Sequence, residues 1–541
     1  MFWPADWTLN LEVALPDHAI SPAIRAALGK YAAGLCADFD LRLKLNLVVN
    51  RSAEAAADRD EGQIDIRLNN QKCRLRWWPQ LPIRKGATAQ EVAAISGVAL
   101  WENRELLISR EMADTVFARW LPTEGAQQQE SQSPEESRHE DARRRNEFHK
   151  FLRLFLRYNH SLRHAETFLR ENRRMVDSID AEHWFERAVE ESRNLRYGVV
   201  VTLPQDEVTK SKPEYAKSLE WLASRLTEAR GLVAGPIAIE AAPLATSTFQ
   251  IRLNDVHLPV LDVPLVGDVL FSDLRAMTKL RSGARVLVDP FSGCFCCAAA
   301  DSAETATALR EAGTEAWTHA PAGYLTRVLE SAIYASGGSF LSPSSTAFLL
   351  ERQRQDRPQL VRIVRARLGN VPPFHLRMTA VLRRLVDEGV SVKDLPGILA
   401  GIVWITEGAS EAGGEIYYSL PGKDLLGIAR GPLSVLSTFE LTQAARLRLR
   451  SVAVRNLPPT GCKQALRWLF LPEQLEHELA ALSENAQDGL RRPLAVENVE
   501  ARQVLAGRIV EGVAVRVLLS DRSNCNVLQG ASCRPLFIPL R

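Results

Sequence analysis

The sequence predicts an α+β protein of several domains, and three observations carry this prediction. Its 541 residues are more than one ordinary hydrophobic core accommodates. Segments in which apolar and polar residues alternate, as in half-buried strands, are interspersed with segments of helical periodicity. Residues 122–147 are rich in Gln, Ser, Glu and Pro, which is typical of a flexible linker.

Residues 1–121 are predicted to form a small N-terminal α/β unit. Helical periodicity covers residues 23–37, and strand alternation covers residues 41–49 and 63–68. The polar linker then leads into a basic, amphipathic helical segment at residues 148–190. These patterns predict a compact unit that a linker separates from the rest of the chain.

The basic segment is a candidate surface for membrane or partner contact. Residues 141–175 contain ten Lys or Arg and four Asp or Glu, while one side of the predicted helix stays apolar. Such a helix is suited to an anionic membrane surface, and equally to docking on protein with its arginines in solvent. The candidate contact residues are Arg143, Arg144, Arg145, Lys150, Arg153, Arg157 and Arg163.

Residues 191–541 are predicted to form a larger domain in three parts. Residues 191–304 are expected to be α/β with an insertion, residues 305–410 helical, and residues 411–541 α/β again. The stretch from Ile66 to Asn69 is repeated from Ile251 to Asn254, each after a helix and an earlier strand. This echo leaves two alternatives: the N-terminal unit is a degenerate copy of the later one, or the four residues match by chance.

No catalytic, metal or cofactor site is predicted, and we expect no enzyme activity. No phosphate-binding glycine loop, nucleophile elbow or zinc-protease motif is present. Cys294, Cys296 and Cys297 lack the second pair that tetrahedral zinc favours, so small buried side chains are expected. His160 and His164 have no evident third ligand and are expected to be surface histidines.

A cytoplasmic location is expected, with peripheral contact at the inner membrane. The N-terminus has no basic stretch followed by an apolar run, and no stretch is long and apolar enough to cross a bilayer. A net charge of +2 argues against a surface committed to nucleic acid. A helix-turn-helix at residues 381–399, with a wing at residues 415–420, stays an alternative as a DNA-binding regulator. Its second helix offers only Lys393 to bases, and the rest is apolar.

From about residue 195 onward, several stretches resemble one known family in the same order. They are "LEWLASRLTEARGLVAGPIAIEAAPLATSTFQIRLNDVHLP", "AGTEAWTHAPAGYLTRVLESAIY", "SPSSTAFLLERQRQDRPQLVRIV", "VLRRLVDEGVSVKDLPGIL" and the strand–helix–helix–strand block at residues 466–519. Together they resemble the cytoplasmic domain of the FHIPEP family, the export-gate proteins of type III secretion and flagellar export. No single motif among them is specific, and the order over about 340 residues carries the resemblance.

The resemblance implies a protein-interaction component of a bacterial type III secretion apparatus. Its expected partners are secretion apparatus proteins and chaperone–cargo complexes, and it is expected to form a homo-oligomeric ring. Family members begin with a membrane domain of several helices, whereas residues 1–190 are expected here to be soluble. Three roles stay open: an accessory ring component, a regulator or decoy that competes with the true gate, and half of a split gate.

Overall fold

The computed structural model describes most of residues 7–407 and short stretches beyond them. The gaps before 407 are residues 16–19, 42–43, 52–60, 64, 74–81, 85–88, 121–133, 173–179, 193–197, 233–236, 266, 272–279, 281–284, 292–294, 314–320, 369–372 and 388–389; beyond 407 the described residues are 410–412, 415–417, 438, 441–442, 445, 468–470, 515–518 and 536–538. The chain divides into two compact units, one of residues 1–228 and 233–340, the other of residues 229–232 and 341–541. Among the described residues, no helix is long and apolar enough to cross a membrane.

The first unit opens with a four-stranded sheet in the order β2-β1-β4-β5. Its elements are β1 (Thr8–Leu15), α1 (Pro22–Asp38), β2 (Lys44–Arg51), β3 (Glu61–Gln63), β4 (Asp65–Leu68), β5 (Gln71–Lys72) and β6 (Pro82–Arg84), with β3 and β6 paired separately. β1 runs parallel to β2 and antiparallel to β4. Buried and exposed residues alternate along β1, so one face of the sheet lies in the core.

A second sheet in the same unit has the same topology as the first. Its elements are β7 (Val199–Pro204), α7 (Gln205–Arg230), β8 (Ala238–Ala242), β9 (Thr248–Leu253), β10 (Val256–His257) and β11 (Leu261–Asp262). The order β8-β7-β9-β10 matches β2-β1-β4-β5, with the first pair parallel and the others antiparallel. The two copies of Ile-Arg-Leu-Asn occupy the same place, at the end of β4 and of β9.

Seven further described helices and a small third sheet complete the first unit. The helices are α2 (Ala89–Glu102), α3 (Arg110–Trp120), α4 (Pro134–Arg157), α5 (Leu162–Glu171), α6 (Ala181–Glu191), α8 (Ala303–Ala312) and α9 (Pro321–Ala335), in addition to α1 and α7, and the third sheet is β12 (Asp268–Phe271), β13 (Arg285–Val288) and β14 (Phe295–Ala300). Short 3₁₀ turns follow α2 at Arg104–Leu107 and α9 at Gly337–Phe340. One apolar core joins residues of the first two sheets with α4, α5 and α6.

The second unit is built around a helical core. Its helices are α10 (Pro343–Asp356), α11 (Pro358–Leu368), α12 (Phe374–Asp387) and α13 (Leu395–Glu407), followed by β15 (Ser410–Ala412) and β16 (Glu415–Tyr417). Further on, β17 (Trp468–Phe470) pairs in parallel with β18 (Val515–Leu518), and β18 pairs with β19 (Leu536–Ile538). A parallel pair requires a crossover, which fits the predicted strand–helix–helix–strand block. The helices predicted between β17 and β18 lie outside the described residues.

The α+β, multielement fold class is confirmed, while several boundaries differ from those predicted. Helix α4 begins at Pro134, so the second half of the predicted linker, residues 134–147, is helical. Residues 122–133 of the linker lie outside the described part of the chain. The predicted N-terminal unit and residues 199–263 contribute to one core rather than to separate ones. Composition could not show this, because it reports local polarity and not which distant segments share a core.

Candidate functional site

The apolar side of the basic segment is buried in the core of the first unit. Phe148, Phe151 and Phe155 on α4 have no exposed surface. The Phe151 ring meets Phe155 edge-on at 5.3 Å between centroids, and Phe155 meets Phe185 on α6 at 4.9 Å. An interfacial helix must instead present this face to lipid. The apolar stripe formed by the described residues of α4 is therefore buried in the protein and does not face lipid.

Two of the candidate basic residues form an internal ion-pair cluster with Glu105 in the 3₁₀ turn. Arg157 Nε lies 2.6 Å from Glu105 Oε1, and Arg153 Nη2 lies 3.6 Å from Oε2. Burial by itself would raise the pKa of Glu105, but attraction to Arg157 and Arg153 outweighs it and lowers the pKa to about 2. Arg153 and Arg157 therefore anchor α4 to the turn that follows α2.

The other candidate basic residues divide between local pairs and open surface. Lys150 Nζ lies 3.6 Å from Glu182 Oε1, which ties α4 to α6. Arg145 pairs with Asp141 at 2.9 Å and lies over the Phe117 ring, 5.2 Å from its centroid. Arg144 is half-buried, whereas Arg143 and Arg163 are exposed. The structure thus does not gather the seven predicted residues on one surface.

An open depression of about 750 Å³ lies between α3 and α4, beside Arg145. Its lining residues are Arg110, Glu111, Asp114, Thr115, Ala118, Arg119 and Arg145. Cations and carboxylates are interspersed there, and no nucleophile–base pair is among them. The depression therefore suits a polar protein contact better than a reaction.

Two buried asparagines join α4 to the second sheet, and they were not among the predicted site residues. Asn254, at the turn between β9 and β10, donates from Nδ2 to Tyr158 O (2.9 Å) and Ser339 O (3.0 Å) and accepts from Gly198 N (3.1 Å). Asn159, at the end of α4, accepts from Trp101 Nε1 at 2.8 Å and donates to Ser336 Oγ at 2.8 Å.

Both asparagines have a positive φ, 58° at Asn159 and 55° at Asn254. Asparagine tolerates this left-handed conformation better than most residues. The repeated Ile-Arg-Leu-Asn was the one sequence signal that pointed to Asn254. Nothing in the sequence marked Asn159.

The prediction that His160 and His164 are surface histidines is wrong. Both are buried, and they flank one carboxylate, with His160 Nδ1 at 3.8 Å and His164 Nε2 at 3.5 Å from Asp255 Oδ2. Burial would raise the pKa of Asp255, but the interactions with His160 and His164 outweigh it and hold the pKa well below its usual range. His160 lies in the turn between α4 and α5, and His164 lies in the first turn of α5. The fold brings both of them to Asp255, between β9 and β10.

No group of three His, Cys, Asp or Glu side chains suited to a metal ion occurs among the described residues. Cys296 and Cys297 are buried thiols in neighbouring positions on β14. They belong to different apolar clusters because successive strand residues point to opposite faces. The structure therefore agrees with the prediction of small buried side chains. Cys294 lies outside the described residues.

The predicted helical pair forms α12 and α13, and its apolar residues are buried. Leu395, Ile398, Leu399 and Ile402 of α13 lie in the core of the second unit. Arg383 on α12 is also fully buried. A recognition helix must present polar side chains to base edges. The apolar face of α13 packs in the core of the second unit and does not face bases. The geometry therefore does not favour the DNA-binding alternative.

Two aromatic side chains stand out on the described surface of the two units. Phe348 on α10 is 65% exposed, and Trp221 on α7 is 56% exposed with Arg225 stacked on its ring at 5.1 Å. Large exposed aromatics are enriched at protein interfaces. They are therefore further candidates for partner contact.

No protein-family model and no curated protein matches the chain. Among solved structures, it is similar to the Chlamydia pneumoniae CdsV protein, at 17% identity over 61% of this chain and 88% of that chain, with a TM-score of 0.42. It is similar to the Shigella flexneri MxiA protein, at 11% identity over 62% and 90% of the two chains, with a TM-score of 0.39. It is also similar to the nonameric EscV cytosolic domain from the type III secretion system, at 15% identity over 56% and 77%, with a TM-score of 0.36.

Proposed function

We propose that this chain is a protein-interaction component of a bacterial type III secretion apparatus, which receives cargo together with its chaperones. The observation that supports the proposal most is the order of the stretches that resemble the export-gate family. In the fold they become α7–β8–β9–β10, then α9, then α10–α11, then α12–α13, and last the parallel pair β17–β18. The proposal includes no catalytic step.

The distribution of charge supports contact with protein rather than insertion into lipid. The apolar stripe of α4 is buried, and Arg153 and Arg157 are bound to Glu105. Any attraction to an anionic membrane would rest on exposed cations such as Arg143 and Arg163. Peripheral membrane contact is therefore the weaker part of the proposal, and liposome flotation with anionic lipid tests it directly.

Binding of purified chaperone–cargo pairs to the full chain tests the main proposal. We expect saturable binding to at least one chaperone–cargo pair from the same genome, and weaker binding by a Phe348→Ser variant. Phe348 is largely exposed, so this change should leave thermal stability within about 0.5 kcal/mol of wild type. Arg354→Ala on the same helix, where Arg354 is exposed and pairs with Glu351, is a matched control that leaves Phe348 in place.

The proposal would be abandoned if every chaperone–cargo pair failed to bind while the protein stayed folded. Sequence-specific, salt-sensitive DNA binding would instead support the regulator. Light scattering on the full chain tests self-association, because two similar solved structures are nonameric by their descriptions. A ring of this chain is part of the proposal, and a strict monomer would favour the decoy role.

A further inference from the structure

The likeness between the first two sheets extends into the segments that follow them. The hairpin asparagine of each sheet donates from Nδ2 to a carbonyl of a 3₁₀ turn, Asn69 to Leu106 O and Asn254 to Ser339 O, both at 3.0 Å. A serine three residues further on then caps the next helix. Ser109 Oγ accepts from Met112 N at 3.2 Å, as Ser342 Oγ accepts from Ser345 N at 2.9 Å.

The helix pairs further along repeat the same local geometry. At the end of α4, His160 N donates to Phe155 O, and at the end of α12, Val390 N donates to Leu385 O, both at 2.8 Å. One residue later, Ser161 Oγ accepts from Arg163 N and Ser391 Oγ accepts from Lys393 N, both at 3.3 Å. The sequences are "SLRHAETFL" at residues 161–169 and "SVKDLPGIL" at residues 391–399.

The chain therefore carries two copies of one arrangement, a sheet unit followed by a helix block. The first sheet unit is residues 8–107 and the first helix block residues 110–171. The second sheet unit is residues 199–340 and the second helix block residues 343–407. In both copies the sheet order, the hairpin asparagine, the 3₁₀ turn, the serine cap and the helix-pair turn occur in the same sequence.

Within the chain, the first helix block docks on the second sheet unit through the helix-pair turn. Asp255 N donates to Asn159 O, and Ser161 N donates to Asp255 Oδ2, both at 3.1 Å. Asn254 Nδ2 adds its bond to Tyr158 O. The hairpin of the second sheet unit is thus covered by the turn of the preceding copy.

The first sheet unit and the second helix block carry the corresponding hairpin and turn, and several residues there are more exposed than their counterparts. Asn70, which corresponds to Asp255, is exposed, and Asn69 is half-buried where Asn254 is 1% exposed. Among the described hydrogen bonds, Asn69 Nδ2 has Leu106 O as its one acceptor, whereas Asn254 Nδ2 has two. Val390 is half-buried, while the corresponding His160 has no exposed surface; Ser391 is buried, like the corresponding Ser161.

We propose that the chain associates head to tail, with the Val390–Ser391 turn of one copy docked on the Asn69–Asn70 hairpin of a second copy. The contact would repeat between chains the one that the Asn159–Ser161 turn makes with Asn254–Asp255 inside the chain. Such an association is heterologous, so it closes into a ring or extends into a filament. The inference gives self-association a defined interface, and it stands on the repeat rather than on the secretion role.

Cysteine pairing between two full-length variants tests the contact. Asn70→Cys and Val390→Cys chains, mixed and mildly oxidised, should form a disulfide-linked dimer that neither variant forms alone. The single variants are the controls for the native cysteines. The proposal would be overturned if the mixture formed no disulfide-linked dimer. It would also be overturned if either variant alone formed as much of this dimer as the mixture.

Sedimentation of Asn70→Gly is the second measurement, since glycine preserves the turn at a φ of 65°. Its dissociation constant should rise about tenfold, which corresponds to one lost hydrogen bond of ~1.4 kcal/mol. Ser247→Gly, at another turn with a φ of 63°, should associate like wild type. Wild-type protein that stays monomeric throughout would refute the interface while leaving chaperone binding to be judged separately. Association through Asn70 without any chaperone binding would instead count against the secretion role alone.

Discussion

Replacement of Asn254 by glycine isolates the side chain that joins the second sheet to α4. Asn254 is buried, has a φ of 55°, and makes three hydrogen bonds through its amide group. Glycine adopts this φ readily, so the change removes the hydrogen bonds without adding backbone strain. Asn69→Gly is the matched variant, because Asn69 has a φ of 50° at the same place in the first sheet.

The expected loss follows from the number and burial of these bonds. Three buried hydrogen bonds at about 1 kcal/mol each amount to about 3 kcal/mol for Asn254. Asn69 accepts from Asn10 N at a long 3.4 Å and donates to Leu106 O, and its half-exposed site admits water. About 1 kcal/mol is expected there. The difference of about 2 kcal/mol corresponds to roughly a thirty-fold difference in local opening.

Native-state hydrogen exchange is the appropriate assay, because a chain of two compact units need not unfold in one step. The Gly198 amide donates directly to Asn254 Oδ1, as the Asn10 amide donates to Asn69 Oδ1. Exchange at Gly198 should therefore accelerate far more in Asn254→Gly than exchange at Asn10 does in Asn69→Gly. Unchanged protection of Gly198, or equal acceleration at both sites, would refute the reasoning.

Three further changes probe the core and the buried charges of the first unit. Glu105→Gln should lower the free energy of unfolding at pH 7 by roughly 2–3 kcal/mol, because the pKa of Glu105 is held at about 2 in the folded state, below its ordinary 4.5. This stabilisation is present above pH 4.5 and is lost as the pH falls towards 2. In chemical denaturation, the free energies of unfolding of wild type and Glu105→Gln should therefore converge in acid. Gly97→Ala should cost about 1–3 kcal/mol in thermal denaturation, because its Cβ would lie 2.6 Å from Pro259 Cγ. Cys36 should resist alkylation in the native protein and react in urea, because burial raises its pKa to about 12.

Each of these predictions has its own control and its own contrary result. A difference between wild type and Glu105→Gln that stayed constant from pH 7 to pH 3 would contradict the ion-pair account. Gly34→Ala on α1, where an added Cβ meets nothing within 4 Å, should stabilise by about 0.5–1 kcal/mol. If Gly97→Ala also stabilised the protein, the close approach of residue 97 to Pro259 would be disproved. Labelling of Cys36 in the native protein at the rate seen in urea would show that its site opens readily.

Local elements were largely predictable because they follow from periodicity and capping. The helix predicted at residues 23–37 is α1, with Ser21 as its N-cap and Pro22 in its first turn. The apolar run at residues 199–203 forms most of β7, whose residues are all buried. Helix α7 begins at Gln205 although Pro213, a residue that usually breaks helices, falls in its interior.

The candidate site was predicted only in part. The predicted apolar side of the basic segment agrees with the structure, because Phe148, Phe151 and Phe155 share a buried face. Its arginines were assigned to an outer surface, but Arg153 and Arg157 turn towards Glu105, about fifty residues earlier in the chain. Charge counted along a segment cannot identify a partner that is distant in sequence.

The sequence by itself determined the element types, the caps, the charge of each segment and the repeated Ile-Arg-Leu-Asn, because these depend on neighbouring residues. The tertiary structure alone decided that His160 and His164 are buried beside Asp255, and that Asn159 and Asn254 join α4 to the second sheet. Burial and hydrogen-bond partners are set by which segments pack together. The free energy that selects this packing comes from apolar surfaces far apart in the chain, and a linear pattern does not record how they meet.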